Sequence, residues 1–421
     1  MRRAGRESEG NTATNEETLA RMNVAQIRSH FPALERIHND LPVAYFDAPG
    51  GTQVPRGVAD AMTKYLFHHN ANTHWQYPTS EETDAIILSA REAVADFLHA
   101  RADEIVFGAN MTTLTFHLAR TLGRTFTEGD EVIVTELDHH ANVAPWKALE
   151  YDRGIVVRTA RMICETGQLD YEHLASLVNA RTKLIAAGAA SNAIGTINDL
   201  TRIAKIAKDA GALFFVDAVH FAPHELVDVR AIGCDFLGCS SYKFYGPHAG
   251  ILWGRYELLD TLPFPKLAPA PDRAPERVET GTQNHEGIAG ITATVDFLAS
   301  FGEGSTRRER LTSFFDDVHA EGQKLVRMLW DGLQSIPRVR IYGAPPAARR
   351  TPTMSFRIDG VDSDDVARAL ASRALFASSG DFYAATVCER YAVDSFLRVG
   401  CGIYTTEDEV QRLIDAVGRV Q

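Results

Sequence analysis

Cys239-Ser-Ser-Tyr-Lys-Phe-Tyr-Gly-Pro-His248 decides how this chain is read. It sets Lys243 after a short apolar run, Asp235 to Cys239, and before a Gly-Pro turn. Upstream, Leu213-Phe-Phe-Val-Asp-Ala-Val-His220 is a second apolar run, ending on Asp217. Taken singly, the lysine reads as a solvated loop residue and the acid as an ordinary strand terminator. At the carboxyl ends of parallel strands, both would stand where α/β proteins bind ligands.

Outward from this pair, residues 80 to 255 alternate apolar runs with helical periods, the pattern of an α/β domain with a mostly parallel sheet. Seven strands are expected, at Glu104–Phe107, Glu131–Thr135, Ile155–Arg158, Lys183–Ala189, Leu213–Val216, Asp235–Cys239 and Gly250–Trp253. Helices fall between them, notably Glu81–His99 and Asp199–Ala210, the latter ended by Gly211. Leu262–Pro275 is rich in proline and reads as a long loop. Past residue 290 come a long helix, strands near Arg338–Tyr342, Thr353–Ile358 and Phe396–Val399, and a closing helix from Thr406, the makings of a smaller α+β domain. The expected division is a mobile tail over 1–20, an N-terminal segment of the small domain over 21–45, a large domain over 46–289 and a small domain over 290–421.

Composition narrows the function classes. The chain has 421 residues, 45% of them hydrophobic and 23% charged, as in ordinary soluble globular proteins. Its net charge of -12, with no basic cluster, argues against a nucleic-acid partner. No apolar run is long enough to span a bilayer. The opening residues carry charge but no apolar segment, so neither a secretory signal nor an anchor is expected. The five cysteines show neither CxxC pairing nor metal-ligand spacing with histidine, which points to a reduced, cytoplasmic setting and no metal.

Two further segments carry chemistry. Thr135-Glu-Leu-Asp-His-His-Ala-Asn-Val-Ala-Pro-Trp146 follows a strand, and His139 there could stack on a flat heteroaromatic ring or simply cap the next helix. Phe107-Gly-Ala-Asn-Met-Thr-Thr-Leu-Thr115 is a strand, a small-residue turn and a helix start; amides at Met111 and Thr112, with the Thr112 hydroxyl, suit a phosphate. Lys243 to bind an aldehyde, Asp217 to keep a pyridine nitrogen protonated, a stacking ring and a phosphate cradle together suggest pyridoxal phosphate.

With these pieces placed, the chain resembles the cysteine desulfurase and selenocysteine lyase group of the class V aminotransferases, and more closely a desulfurase-like subgroup. The likeness runs from about Tyr45 to Val417 and includes YFDAPGGTQVP, HHANVAPW, Ala190-Ser-Asn-Ala-Ile-Gly-Thr196, VDAVH, SSYKFYGP, Glu279-Thr-Gly-Thr-Gln-Asn284 and Leu397-Arg-Val-Gly400. It implies the pyridoxal-phosphate-dependent fold type I, with a large domain around a mostly parallel seven-stranded sheet plus a smaller α+β domain. It implies that Lys243 is the Schiff-base lysine and proton shuttle, that Asp217 holds the ring nitrogen, and that His139 stacks. Asn192 and His220 would lie near the phenolic oxygen, His220 replacing a usual Gln. Thr112, Ser240 and Tyr242 would hold the phosphate, Tyr242 replacing a usual His. Thr282 would reach the phosphate of a second copy, which implies a homodimer, and Arg398 would pair with the carboxylate of an amino-acid substrate.

The pattern also breaks. Desulfurases carry Arg-Thr-Gly-His-His-Cys ahead of the final arginine strand; aligned without gaps from Arg398, this chain has Ser378-Ser-Gly-Asp-Phe-Tyr383. Tyr383 therefore replaces the sulfur-accepting cysteine and Ser378 an arginine, while Trp75, after His74, replaces a second arginine. Cys388 falls five residues past the expected position. Asp381 either favours a cationic substrate or caps the turn. A lyase acting by β-elimination without persulfide formation is the expected activity. The alternatives are a transaminase or epimerase, with Tyr383, Tyr242 or His74 as proton donor, and a weakly catalytic cofactor-binding scaffold.

Overall fold

The computed structural model describes residues 22–420, so the tail expected over 1–20 lies outside the described residues. The seven expected strands are Ile105–Gly108 (β1), Glu131–Thr135 (β2), Val156–Ala160 (β3), Thr182–Gly188 (β4), Leu213–Asp217 (β5), Phe236–Ser240 (β6) and Gly250–Gly254 (β7). They form one sheet in the order β1-β7-β6-β5-β4-β2-β3. Only β7 runs antiparallel to its neighbours β6 and β1. Apart from β3 and single edge positions, these strands are buried along their whole length, which explains why they read as unbroken apolar runs rather than alternating ones.

Helices cover both faces. One core layer gathers Ala93, Phe97, Ile185, Phe214 and Phe244; the opposite layer gathers Leu114, Leu118, Val132, Trp146 and Phe215. The alternation Phe214/Phe215 sends successive rings to opposite layers, the period-two rule at work in the strand that ends on Asp217. The expected helices occur as Pro78–Leu98 and Leu200–Asp209, the second started by Asp199, whose side chain accepts the Arg202 amide. Leu262 to Pro275 is a loop apart from turns.

Beyond this sheet, Val339–Tyr342 (β8), Thr353–Ile358 (β9), Ser378–Gly380 (β10) and Phe396–Gly400 (β11) form an antiparallel sheet in the order β8-β9-β11-β10. Sequence patterning locates three of these strands and misses β10, a Ser-Ser-Gly run with no apolar alternation to mark it. A third core lies under this sheet, with Leu325, Leu329, Phe356, Leu397 and Leu413. The helix Arg307–Gln334 spans two cores, since Leu311 and Phe314 pack in the first and Leu325 to Leu333 in the third. The residue-290 boundary expected from sequence falls inside the helix His285–Ala299, whose Ile291, Val295 and Leu298 also belong to the first core. Ala44–Tyr45 pairs in parallel with Leu375–Phe376 as a separate two-stranded sheet, and an Asp47–Gly400 bridge links this segment to β11.

Gly250 is a tight joint behind the site. In register with both Ser240 and Gly108, its backbone presses on Asn110, and a Cβ there would enter the van der Waals radius of the Asn110 backbone. Gly250→Ala is therefore expected to lower stability by about 1–3 kcal/mol, the usual cost of overpacking, measurable as a drop in urea midpoint.

Candidate active site

At the carboxyl edge of the large sheet lies a cavity of about 640 Å³, walled in part by Met111, Thr112, His139, Asn192, Asp217 and Lys243. His220, Ser240 and Tyr242 line it as well. Nine of the thirteen residues assigned from sequence are on its wall, and Arg398, Tyr383, His74 and Thr282 are not.

Lys243 sits on a single 3-10 turn directly after β6. Its Nζ donates to the carbonyls of Pro49 and, at 2.9 Å, Gly50. Burial is the main reason its ammonium is destabilised, with the positive Arg398 adding to the effect and Asp217 and Asp47 opposing it, so the pKa falls to about 7. The YFDAPGGTQVP segment thus earns its place physically: Pro49 and Gly50 hold the lysine, while the Thr52 hydroxyl donates to the Tyr242 carbonyl at 3.1 Å and accepts the Tyr245 amide at 2.8 Å.

Asp217 closes β5, opposite Gly188 of β4 and Gly238 of β6. Its Oδ1 accepts the Val219 amide at 2.9 Å, and burial raises its pKa to about 7, against the pull of Lys243. Asp138, fully buried beside it, accepts the Thr135 and Gly188 amides and is raised to about 7 for the same reason. His139 uses Nδ1 to accept the Ala141 amide at 3.0 Å, which leaves the proton of the neutral ring on Nε2. Burial lowers its pKa to about 4, so it is a neutral aromatic surface.

At the opposite end, Asn110 caps the helix Met111–Gly123 by accepting the Thr113 amide at 2.9 Å. The Met111 amide donates to Ser240 Oγ at 3.0 Å, and the Met111 side chain is packed in the core behind. The amide and hydroxyl of Thr112 have no partner among the described residues and open on the cavity.

Arg398, on β11, donates to the Asn192 carbonyl at 2.9 Å, and its buried Nε has no partner among the described residues. It does not open on the cavity, because the Phe382 ring lies over its guanidinium, 3.8 Å from centroid to Cζ. Phe382 and Tyr383 both take left-handed backbone angles, φ +57° and +55°. Two bonds hold this turn across the site: Asn192 Nδ2 donates to the Phe382 carbonyl at 2.9 Å and the His140 amide to the Tyr383 carbonyl at 2.7 Å. The Tyr383 side chain is itself largely exposed, with its ring 5.4 Å from that of His139. Asp381 accepts the Tyr383 amide at 3.0 Å, so it caps the turn.

His74 and Thr282 stand elsewhere. Both line a second, larger cavity of about 1300 Å³. There His74 pairs with Asp84 at 3.3 Å and Glu276 at 3.5 Å, and the Thr282 loop is anchored by Glu279, which bonds Arg91 and the Phe107 amide. Phe382, Asp47, Asp138 and His248 are site residues that sequence reading passed over. Asp47 lay in a quoted motif and Phe382 beside Tyr383, but nothing local marks a ring that will cover an arginine sixteen residues further along the chain.

The class-V aminotransferase family matches residues 44–413. The chain belongs to that family. Among its relatives, a cysteine desulfurase of Serratia proteamaculans is 33% identical over 414 residues, covering 94% of this chain and 98% of the relative. One of Dickeya dadantii is 31% identical over 413 residues, covering 94% and 96%. The cysteine desulfurase CsdA of Escherichia coli has a structure similar to this one at a TM-score of 0.83 and 27% identity, covering 94% of this chain and 98% of that one. The cofactor of this class-V enzyme is pyridoxal phosphate, and the residues present fit it. Asn192 Oδ1 and His220 Nδ1 are buried on the cavity wall with no partner among the described residues, so polar atoms await a ligand between the acid end and the helix end.

Because the neutral amine is what attacks an aldehyde, capture of pyridoxal phosphate by the cofactor-free chain should rise with pH through about 7 and level off above it, well below the range of a solvated lysine. Stopped-flow absorbance across pH 5 to 9 checks this, and a profile still climbing beyond pH 9 would contradict it. Arg398→Lys should weaken binding of a simple amino acid by about tenfold or more while leaving cofactor content unchanged, because an ammonium cannot offer paired N–H donors. Spectral titration measures it.

Proposed function

We propose that the enzyme is a lyase that removes a β-substituent from a cysteine-like amino acid without forming a persulfide on its own chain. The observation that carries the reading is the absence of any cysteine from the walls of the Lys243 cavity. Cys388 is held in the helix Ala385–Arg390, nearly fully buried, with burial raising its thiol to about 11, which leaves little thiolate at neutral pH. At the aligned position Tyr383 offers a phenol, which is no sulfur acceptor.

Pyridoxal phosphate, when bound, supplies an electron sink that acidifies the Cα–H of an attached amino acid. Asp217 keeps the acceptor nitrogen paired with a buried acid. His139 provides a flat, uncharged face. Lys243 takes the Cα proton, a role suited to an amine poised near pH 7. Arg398 offers its buried Nε to a carboxylate once Phe382 yields, and Asp47 beside it offsets its charge.

The active form in this reading is a homodimer working in the cytoplasm on a small amino acid. Support for the dimer comes from Thr282 and His74, which lie outside this chain's own Lys243 cavity. Exposed Leu66, Phe67, Trp75, Tyr77 and Leu88 gather on the neighbouring helices Arg56–His68 and Pro78–Leu98 and the segment between them. Support for the compartment comes from five free cysteines, four of them buried. No helix among the described residues is long and apolar enough to cross a membrane.

The test is turnover of L-cysteine and β-chloroalanine by the wild type and Cys388→Ala. Pyruvate and ammonia should form with both proteins, with free sulfide from cysteine and no persulfide label on the chain. A persulfide that disappears in Cys388→Ala would overturn the reading, and keto acid with an aminated cofactor would replace it with transamination.

A further inference from the structure

We infer that His248, stacked on Tyr242 at the cavity wall beside the start of the Met111–Gly123 helix, is a binding residue for the cofactor's phosphate. The inference rests on the cofactor and not on the elimination reading, so failure of that reaction leaves it standing.

Chain path sets up the contact. Gly250 pairs with Ser240 and Gly108 and presses on Asn110, the cap of the Met111–Gly123 helix. The Ser241 amide donates to the Ala249 carbonyl at 3.0 Å, so the chain just before β7 is fixed over that helix start. His248 emerges there, on the cavity wall with Asn110, Thr112, Thr113 and Ser240. Its ring is stacked on Tyr242, centroids 5.0 Å apart and planes 11° from parallel. The stack fixes the ring's orientation, yet its nitrogens bond no described residue, and the residue is exposed to whatever fills the cavity.

Charge makes the assignment specific. A phosphate brings close to two negative charges, and the cavity wall includes no arginine and no lysine besides Lys243, which is committed to the aldehyde. His139 and His220 are held neutral by burial, and His139 has its Nδ1 occupied. The helix N-terminus contributes about half a charge, and hydroxyls of Thr112 and Ser240 are neutral donors. His248 alone among the other wall residues can add an N–H donor in either protonation state and a full charge in one of them. Tyr242, wedged between Gly51 and His248 with Lys243 Nζ 5.2 Å from its ring centre, then acts as the platform for that imidazole.

The experiment compares retention of pyridoxal phosphate with that of pyridoxal, which lacks the phosphate, by equilibrium dialysis of the full chain. His248→Ala should weaken pyridoxal phosphate by about tenfold or more and leave pyridoxal within about twofold. His248→Phe, which keeps the stack but has no donor, should lose the same preference, while His248→Gln should recover part of it. The ratio of the two ligands in one preparation is unaffected by any inactive fraction. Wild-type preference in His248→Phe, or equal weakening of both ligands in His248→Ala, would overturn the assignment in favour of a purely structural stack.

Discussion

Burial of the Lys243 amine is the constraint on which the rest of this structure depends. Moving its pKa from the ordinary lysine value of 10.5 to about 7 corresponds to a penalty on the ammonium of about 5 kcal/mol relative to water. A fold can carry that only if the uncharged amine is still hydrogen-bonded, and the Pro49 and Gly50 carbonyls do this. They belong to a segment nearly two hundred residues upstream, which is in turn pinned to the lysine turn through Thr52. The Pro49–Thr52 segment therefore has to return to the end of β6 before the site exists.

The same economy governs the acids. Asp217 and Asp138 are both fully enclosed, each raised to about 7 by burial, and each is bonded by backbone amides at the ends of β2, β4 and β5. Parallel strands leave such amides free at their carboxyl ends, and the two carboxyls use them. The sheet topology and the electrostatics of the site are thus one arrangement. The lysine lowered to about 7 and the acid raised to about 7 therefore titrate in one range, near neutral pH.

Much of this was legible in the chain. The seven strands of the large sheet are continuous apolar runs because both faces are covered, and Lys243, Asp217, His139 and Thr112 each follow one of them at its carboxyl end. What local pattern could not carry was contact between distant segments. β10 has no apolar side chain to announce it, and it pairs only because Arg398's strand offers an edge. Arg398 was marked by its motif, yet the Phe382 ring that covers it depends on a left-handed turn set by Asn192 and His140, residues from two other loops. Thr282, expected to reach the phosphate of a second copy, and His74, expected near the substrate, both line a separate cavity of this chain, a placement that no local pattern marks.

That turn also explains why replacing a cysteine by Tyr383 is more than the loss of a thiol. A sulfur acceptor must reach a departing atom and then leave with it, so its loop has to be free to move. Here the equivalent segment is fixed at Phe382 by Asn192, at Tyr383 by His140 and at Asp381 by its own capping bond, with an aromatic face laid on Arg398. Such a cation–aromatic contact, when desolvated, is worth about 2 kcal/mol, comparable with what a carboxylate must displace to reach Arg398. The segment that carries Tyr383 is thus the same one that lays the Phe382 ring over Arg398.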